Sequence, residues 1–278
     1  MRLKCSLSKR GRFSLVFLSL LVLLRSGVAA PPAKPTIVVA KGLFNSAESF
    51  QRISEVDEYF SARGYSVIFA ATPRGQSIDE RTEVLIREIH QKLPQGPFHL
   101  LAISMGGLDS RKALFLDDDL RQRCLSLTTV ASPHRGSPVA HAATLVLGWL
   151  VPTWEKIFPS PTPEKAPLLI RLIRAAKDLD SATIDTQFNA QVPPPVGVPV
   201  ASISTAIDLD SFRFDGLVGT ESGTWGEHLG TIEADHMSAV ARTFRKDRPD
   251  LKTWDLIAAH YSKIENQTLV LTPSSSAR

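Results

Sequence analysis

Residues 97–107, PFHLLAISMGG, decide the fold. The first half is an apolar run short enough for one buried strand. It breaks at Ser104, and after Met105-Gly106-Gly107 helix-forming spacing resumes through Leu108, Ala113, Leu114 and Phe115. The pattern predicts strand, sharp turn, helix. A residue at such a turn sits in a strained backbone conformation, so its neighbours two before and two after must be small; here they are Ala102 and Gly106. Ala-x-Ser-x-Gly differs by one methyl group from the Gly-x-Ser-x-Gly elbow, which stands a serine hydroxyl at the carboxyl end of a parallel sheet. The N–H of Met105 opens the following helix, where an oxyanion can be held.

Outward from this turn, residues 36–40 (TIVVA) form a β-branched run that predicts a buried parallel strand. Residues 46–63 space Phe50, Ile53, Val56 and Phe60 at helical intervals up to Gly64 and predict one helix. A strand over 65–70 and a helix over 78–93, with Val84, Leu85 and Ile89 inward, come next. Downstream, 125–131 (LSLTTVA) is a strand emptying into Ser132-Pro133-His134-Arg135-Gly136-Ser137, and 198–204 (VPVASIS) is another. This alternation predicts an α/β protein with a mostly parallel central sheet flanked by helices. Between about 138 and 195 the alternation lapses. Helical stretches at 140–150 and 168–176 are separated by Pro152, Pro159, Pro161, Pro163 and Pro167. Helices inserted between strands sit over the carboxyl edge of the sheet, near Ser104, and are expected to form a cap or lid; the alternative is that they complete the core. Beyond 204 the pattern predicts a turn over 214–219, a loop at Asp235-His236, and helices at about 237–245 and 251–264.

The N-terminus carries Arg2, Lys4, Lys9, Arg10 and Arg12, then an apolar segment over 13–24, then Val28-Ala29-Ala30. That order predicts a signal peptide over 1–30, export to the periplasm or the exterior, and a single domain over 31–278; an uncleaved anchor is the competing reading. With Arg25, six of the 32 Lys and Arg lie in this segment, leaving 26 basic against 28 acidic residues and a formal charge of −2. No basic stripe or aromatic-rich motif points to nucleic acid. Cys124 is the one cysteine after the segment, so no disulfide can form within 31–278 and stability has to come from the core.

A serine hydroxyl is a poor nucleophile until a base takes its proton, and the base needs a carboxylate to fix its tautomer and stabilise its positive charge. One chain order that this chemistry uses is serine, carboxylate, histidine. Asp215, in a turn after the 198–204 strand, and His236, before the closing helices, fit it. The competing histidines are His134, His141, His228 and His260; the competing acids are Asp208, Asp210 and Asp235, the last adjacent to His236 in a way that points the two side chains apart. His134, between Pro133 and Gly136, is better placed to fix its loop by hydrogen bonds.

With these motifs assembled, residues 36–246 resemble the secreted bacterial triacylglycerol lipases of the α/β-hydrolase superfamily, most weakly in the cap. The residues that carry the resemblance are Lys41-Gly42-Leu43-Phe44, Ile103-Ser104-Met105-Gly106-Gly107, Ser132-Pro133-His134-Arg135-Gly136-Ser137, Asp215-Gly216-Leu217-Val218 and Asp235-His236-Met237. It implies Ser104 as nucleophile, Asp215 as orienting acid, His236 as base, and the N–H groups of Leu43 and Met105 as an oxyanion hole. Lys41 and Ile103 stand where that family has histidine. Lys41 is expected either to bury its stem with the ammonium in water or to favour anionic substrates. The family's calcium site would fall on Ser238 and Arg242, and an arginine repels a cation, so no metal is expected. The family disulfide is missing.

The expectation is an exported carboxylic-ester hydrolase that needs no cofactor. Trp149, Trp154 and Phe158 in the cap favour a lipid or other hydrophobic ester, with transient contact at a lipid interface. An acyltransferase with the same three residues and a non-catalytic binding protein of the same fold are the alternatives.

Overall fold

The computed structural model describes residues 33–158, 165–209, 212–244 and 246–271. The expected signal peptide over 1–30 and the polar tail after 271 lie outside them.

Strand β1 is Thr36–Ala40, followed by α1 (Ala47–Ser54) and α2 (Val56–Ser61). The single helix expected over 46–63 is therefore two. Glu55 adopts φ 56°, turning the chain so that Phe50 and Phe60, on different helices, enter one buried cluster. Strand β2 (Ser66–Phe69) leads to α3 (Ile78–Lys92), which begins with a reciprocal capping box between Ser77 and Glu80. Then come β3 (Phe98–Ile103), α4 (Gly106–Leu116), α5 (Asp118–Arg123) and β4 (Cys124–Val130).

The inserted segment holds α6 (Pro138–Leu147), α7 (Leu150–Ile157), α8 (Leu168–Asp178), α9 (Ser181–Thr183), one π turn (Ile184–Phe188) and α10 (Asn189–Gln191). Strands β5 (Val200–Leu209), β6 (Phe212–Phe214) and β7 (Glu227–Glu233) and helix α11 (Leu251–Leu271) complete the described chain.

The main sheet is parallel in the order β2-β1-β3-β4-β5-β7, and β6 pairs antiparallel with the end of β5. Alternate residues face opposite sides. Ile37, Val39, Leu101 and Ile103 pack with Phe50, Phe60, Trp254 and Tyr261 on one face; Val38, Leu100, Ala102 and Leu127 pack with Leu85, Ile89 and Leu114 on the other. The chain runs outward from β1 to β2 and then back past β1 to β3. The crevice at the carboxyl ends of β1 and β3 is thus the switch point where open α/β sheets bind ligands. Ser104 is the first residue after β3.

A further expectation is corrected, and one strand not anticipated from the sequence appears. No helix forms over 237–244; Met237 to Ala241 make turns, Asp235 caps the N–H groups of Met237 and Ser238, and the Arg242 N–H leaves to Ile53 O. Ala239, Val240 and Ala241 are all buried in succession, a run that does not fit the alternating faces of a surface helix. Residues 227–233, which carry no strand signal in the sequence, form β7. It is a polar edge, EHLGTIE, with Gly230 at a register shift and Ile232 as its one fully buried side chain, so the alternation is too weak to read.

Candidate active site

The local folding of 102–107 is governed by close approach. Ser104 has φ 54°, a left-handed conformation that non-glycine residues seldom adopt. A Cβ on Gly106 would lie 2.2 Å from Ala40 O, and one on Gly107 would lie 2.3 Å from Ser132 Oγ. Both glycines therefore allow α4 to press against the ends of β1 and β4. The Ser104 N–H donates to Val130 O at 2.9 Å, tying the turn to the neighbouring strand.

The structure brings Ser104, His236 and Asp215 together although they are far apart in sequence. His236 Nε2 is 2.9 Å from Ser104 Oγ, and Nδ1 is 2.8 Å from Asp215 Oδ2. An ionised carboxylate only accepts, so Nδ1 donates to Asp215 and Nε2 is left to accept the serine proton. Asp215 is buried. Its Oδ1 accepts from the Leu217 and Val218 N–H groups at 2.9 and 2.7 Å, and its Oδ2 also accepts from Thr205 Oγ1. Burial alone would raise its pKa. The hydrogen bond and charge of His236, with those of Thr205 and Val218, outweigh it and hold the carboxyl below the ordinary carboxylate value. The His236 N–H also donates to Asp215 O at 2.9 Å, so one loop fixes the other.

Leu43 lines the same cavity as Ser104, and a Cβ on the preceding Gly42 would sit 3.0 Å from Ser104 Cβ. The loop after β1 thus lies directly on the elbow. Among the described residues the N–H groups of Leu43 and Met105 are not used in a backbone hydrogen bond.

Lys41 meets neither expectation. It is 1 % exposed, and its ammonium donates to Thr72 O at 2.6 Å instead of reaching water. Burial, reinforced by the Arg81 charge, lowers its pKa to about 7, and it is absent from the cavity lining, so it offers no charge to a substrate. Ile103 is a core residue packed with Val130 and Ile203.

The competing histidines have partners elsewhere. His134 is buried, bonded to Thr129 Oγ1 at 3.1 Å and stacked on Trp225; burial and the Arg111 charge press its pKa well below the ordinary value, which suits a neutral loop-fixing role. His141 pairs with Asp180 at 2.7 Å, and His228 lies 3.0 Å from Ser204 Oγ. His260 is buried on α11 and faces Glu227 at 3.8 Å. Asp235 caps the turn after it, and Asp210 lies outside the described residues.

The positions at which the resemblance would put a calcium site do not suit that ion. Ser238 Oγ bonds Asp235 Oδ2 and Thr243 Oγ1, and the Arg242 guanidinium donates to Arg52 O. One cluster among the described residues, His90 with Asp117 and Asp119, has the spacing of a metal site, but its groups are already engaged: His90 with Asp117, Asp117 with the Leu120 N–H, and Asp119 with Arg123.

Beside Ser104 opens a cavity of about 230 Å³ running between α6 and α8. Its walls include Val139, Ala143, Leu147, Leu172, Ile173 and Ala176, and the side-chain hydroxyls on it are those of Ser104 and Ser137. The inserted helices are buried in one part and exposed in another. Ala175, Leu179 and Ile184 pack with Leu43, Met105 and Leu108 and so extend the core, while Leu145, Val146, Trp149, Ile157, Phe158 and Leu169 remain exposed.

No family model matches the chain. Over 92 residues it is 35 % identical to Triacylglycerol lipase 2 of Saccharomyces cerevisiae, covering 31 % of this chain and 28 % of the yeast protein, so the chain spans little more than a quarter of that relative. A metagenomic carboxyl esterase superposes with TM-score 0.65 at 21 % identity, over 84 % of this chain and 77 % of the other. The mature form of the Bacillus licheniformis lipase BlEst2 superposes with TM-score 0.55 at 22 % identity, over 74 % and 86 %. A type II thioesterase of a yersiniabactin pathway gives TM-score 0.52 at 16 % identity, over 84 % and 96 %. The protein has the α/β-hydrolase fold.

Proposed function

We propose that the protein is a serine carboxylic-ester hydrolase that acts on hydrophobic acyl esters, as a lipase does. The observation that carries this reading is the Ser104–His236–Asp215 chain of hydrogen bonds ending at the mouth of an apolar cavity. Ester-cleaving relatives of the same fold, with the segment identical in part to a yeast triacylglycerol lipase, support it.

In this mechanism His236 Nε2 takes the Ser104 proton as Oγ attacks the ester carbonyl, and Asp215 stabilises the imidazolium that results. The tetrahedral oxyanion is held by the N–H groups of Leu43 and Met105, each contributing about 3 to 4 kcal/mol of transition-state stabilisation. The proton on Nε2 then passes to the leaving alcohol oxygen, and the acyl group stays on Ser104. Water, deprotonated by His236, repeats the addition and releases the acid. The cavity between α6 and α8 takes the acyl chain. The exposed apolar residues of the cap meet a lipid interface, the inserted helices act as a lid, and residues 1–30 direct export.

Ser104→Ala tests the reading. It is expected to abolish hydrolysis of nitrophenyl esters and labelling by a fluorophosphonate while leaving the thermal midpoint unchanged. Wild-type turnover in the purified variant would refute the assignment. A series of esters of rising acyl length, with and without an emulsion, then sorts lipase from small-ester esterase.

A further inference from the structure

A second cluster of charged side chains lies behind the Ser104 site, and the steps above do not use it. Arg81, in the first turn of α3, and Asp109, on α4 five residues after the nucleophile, form an ion pair with both side chains at 0 % exposure. Arg81 Nε and Nη2 approach the same oxygen, Asp109 Oδ2, at 2.9 and 2.7 Å. The guanidinium also donates through Nη2 to Lys41 O at 2.7 Å and through Nη1 to Pro73 O at 2.6 Å. Asp109 Oδ1 has no hydrogen-bond partner among the described residues.

Such a pair is a poor device for stability. Charges withdrawn from water cost more than they return unless every lone pair is satisfied, and apolar side chains of similar volume often serve the fold as well or better. Here one carboxylate oxygen is unsatisfied, and burial pushes the Asp109 carboxyl up to about 6 despite the attraction of Arg81. What an apolar pair could not do is grip backbone carbonyls. Lys41 O is the last peptide oxygen before Gly42-Leu43, the segment laid against Ser104. Pro73 O belongs to the loop whose Gly75 N–H donates to Leu43 O and whose Thr72 O receives the Lys41 ammonium. One planar fork therefore joins three pieces: the loop after β1, the loop after β2 and the helix that carries the nucleophile.

We propose that Arg81, oriented by Asp109, is a positioning residue that sets the distance between the Leu43 N–H and Ser104. The proposal rests on the hydrolase reading, in which that N–H receives the oxyanion. Arg81 touches neither substrate nor reacting atoms and acts through the backbone of residues 41–43. Misplacement of an oxyanion donor by a fraction of an ångström lowers turnover far more than ground-state binding, since the donor meets its full charge only in the transition state.

The test compares kcat, KM and thermal midpoint, with active sites counted by fluorophosphonate labelling. Wild type and Ser104→Ala are measured first; absence of Ser104-dependent turnover there removes the hydrolase reading, and this inference with it, independently of the Arg81 variants. In Arg81→Met/Asp109→Leu, which removes both members of the pair together, the thermal midpoint is expected close to that of wild type, because the relief of two desolvated charges is offset by Lys41 O and Pro73 O losing their donors. KM should stay within about twofold, and kcat should fall about tenfold to a hundredfold. Arg81→Lys keeps the ion pair but cannot span both carbonyls, and it is expected to recover only part of kcat. A folded double variant with kcat within about twofold of wild type overturns the proposal. Should the double variant not fold, Arg81→Lys decides: kcat within about twofold of wild type overturns the proposal, and a larger loss at an unchanged thermal midpoint supports it.

Discussion

The two walls of the Ser104 cavity are built by different rules. On the sheet side, Lys41, Ile103 and Met105 are at most 2 % exposed, glycines are admitted by near contact, and carbonyls are held by charged side chains, with Phe44 the exposed exception. On the cap side, α6 has one buried residue, Ala140, and carries Leu145 at 72 % and Val146 at 67 % exposure. The first wall has one arrangement because any shift would break hydrogen bonds or create overlap. The second is apolar and loosely supported, and its contacts are set by area and shape. Under the hydrolase reading, bond-making is assigned to the wall that cannot adjust and recognition of the chain to the wall that can.

The sharpest way to break this contrast is on the rigid wall, at Asp215→Asn. Leu217 and Val218 present two N–H donors to Oδ1, so an asparagine would keep its carbonyl there and turn its NH₂ toward Thr205 and His236. The NH₂ would donate to Nδ1, placing the imidazole proton on Nε2, where it cannot accept from Ser104. Turnover is expected to fall about 10⁴-fold with little change in fold. The measurement is kcat on a nitrophenyl ester beside the circular dichroism spectrum. A loss of less than tenfold would show that the geometry of this wall does not set the tautomer.

On the adjustable wall the effect should be smaller and selective. Ala143→Phe on α6 narrows the cavity without touching Ser104 or its partners. Each methylene refused burial forfeits about 0.8 kcal/mol, so losing room for two or three should lower kcat/KM on long-chain esters about thirtyfold. Short-chain esters, which need none of that space, should be hydrolysed within about twofold of wild type. Equal losses on both would mean that the cap wall is as constrained as the sheet wall.

The same division explains which parts of the molecule are legible in the amino-acid sequence. β1, β3, β4 and β5 are central strands buried on both faces and announce themselves as apolar runs; the elbow follows from Ser104 and Gly106 alone. Asp215 and His236 are legible from the serine, carboxylate, histidine order and from the motifs Asp215-Gly216-Leu217-Val218 and Asp235-His236-Met237, not from the elements that flank them. The Arg81–Asp109 pair has no local signature, since the two are 28 positions apart and each resembles an ordinary charge on a helix. Lys41 misleads for a related reason: its position after β1 is visible, but the carbonyl that receives its ammonium belongs to another loop. β7 is hidden by its polar edge, and the turns at 237–241 by their apolar residues. Long-range polar pairing is what sequence periodicity does not encode.

Lys41 gives the mildest test, because it probes the cost of the rigid wall more than its chemistry. Its folded-state pKa, lowered to about 7 by burial and then by Arg81, lies below the ordinary 10.5. Between those values the unfolded chain binds more protons than the folded one, so this group lets stability rise with pH across the window and weighs most heavily below about 7. Lys41→Met removes the buried charge but leaves Thr72 O without its donor, which returns part of the gain. The net is on the order of 1 to 2 kcal/mol in favour of methionine at pH 6, roughly 3 to 6 °C in thermal midpoint, shrinking by pH 9.5. Thermal melts of the two proteins at both pH values measure it. A constant difference would mean that the ammonium is not desolvated, and that the wall behind Leu43 is as accommodating as the cap in front of it.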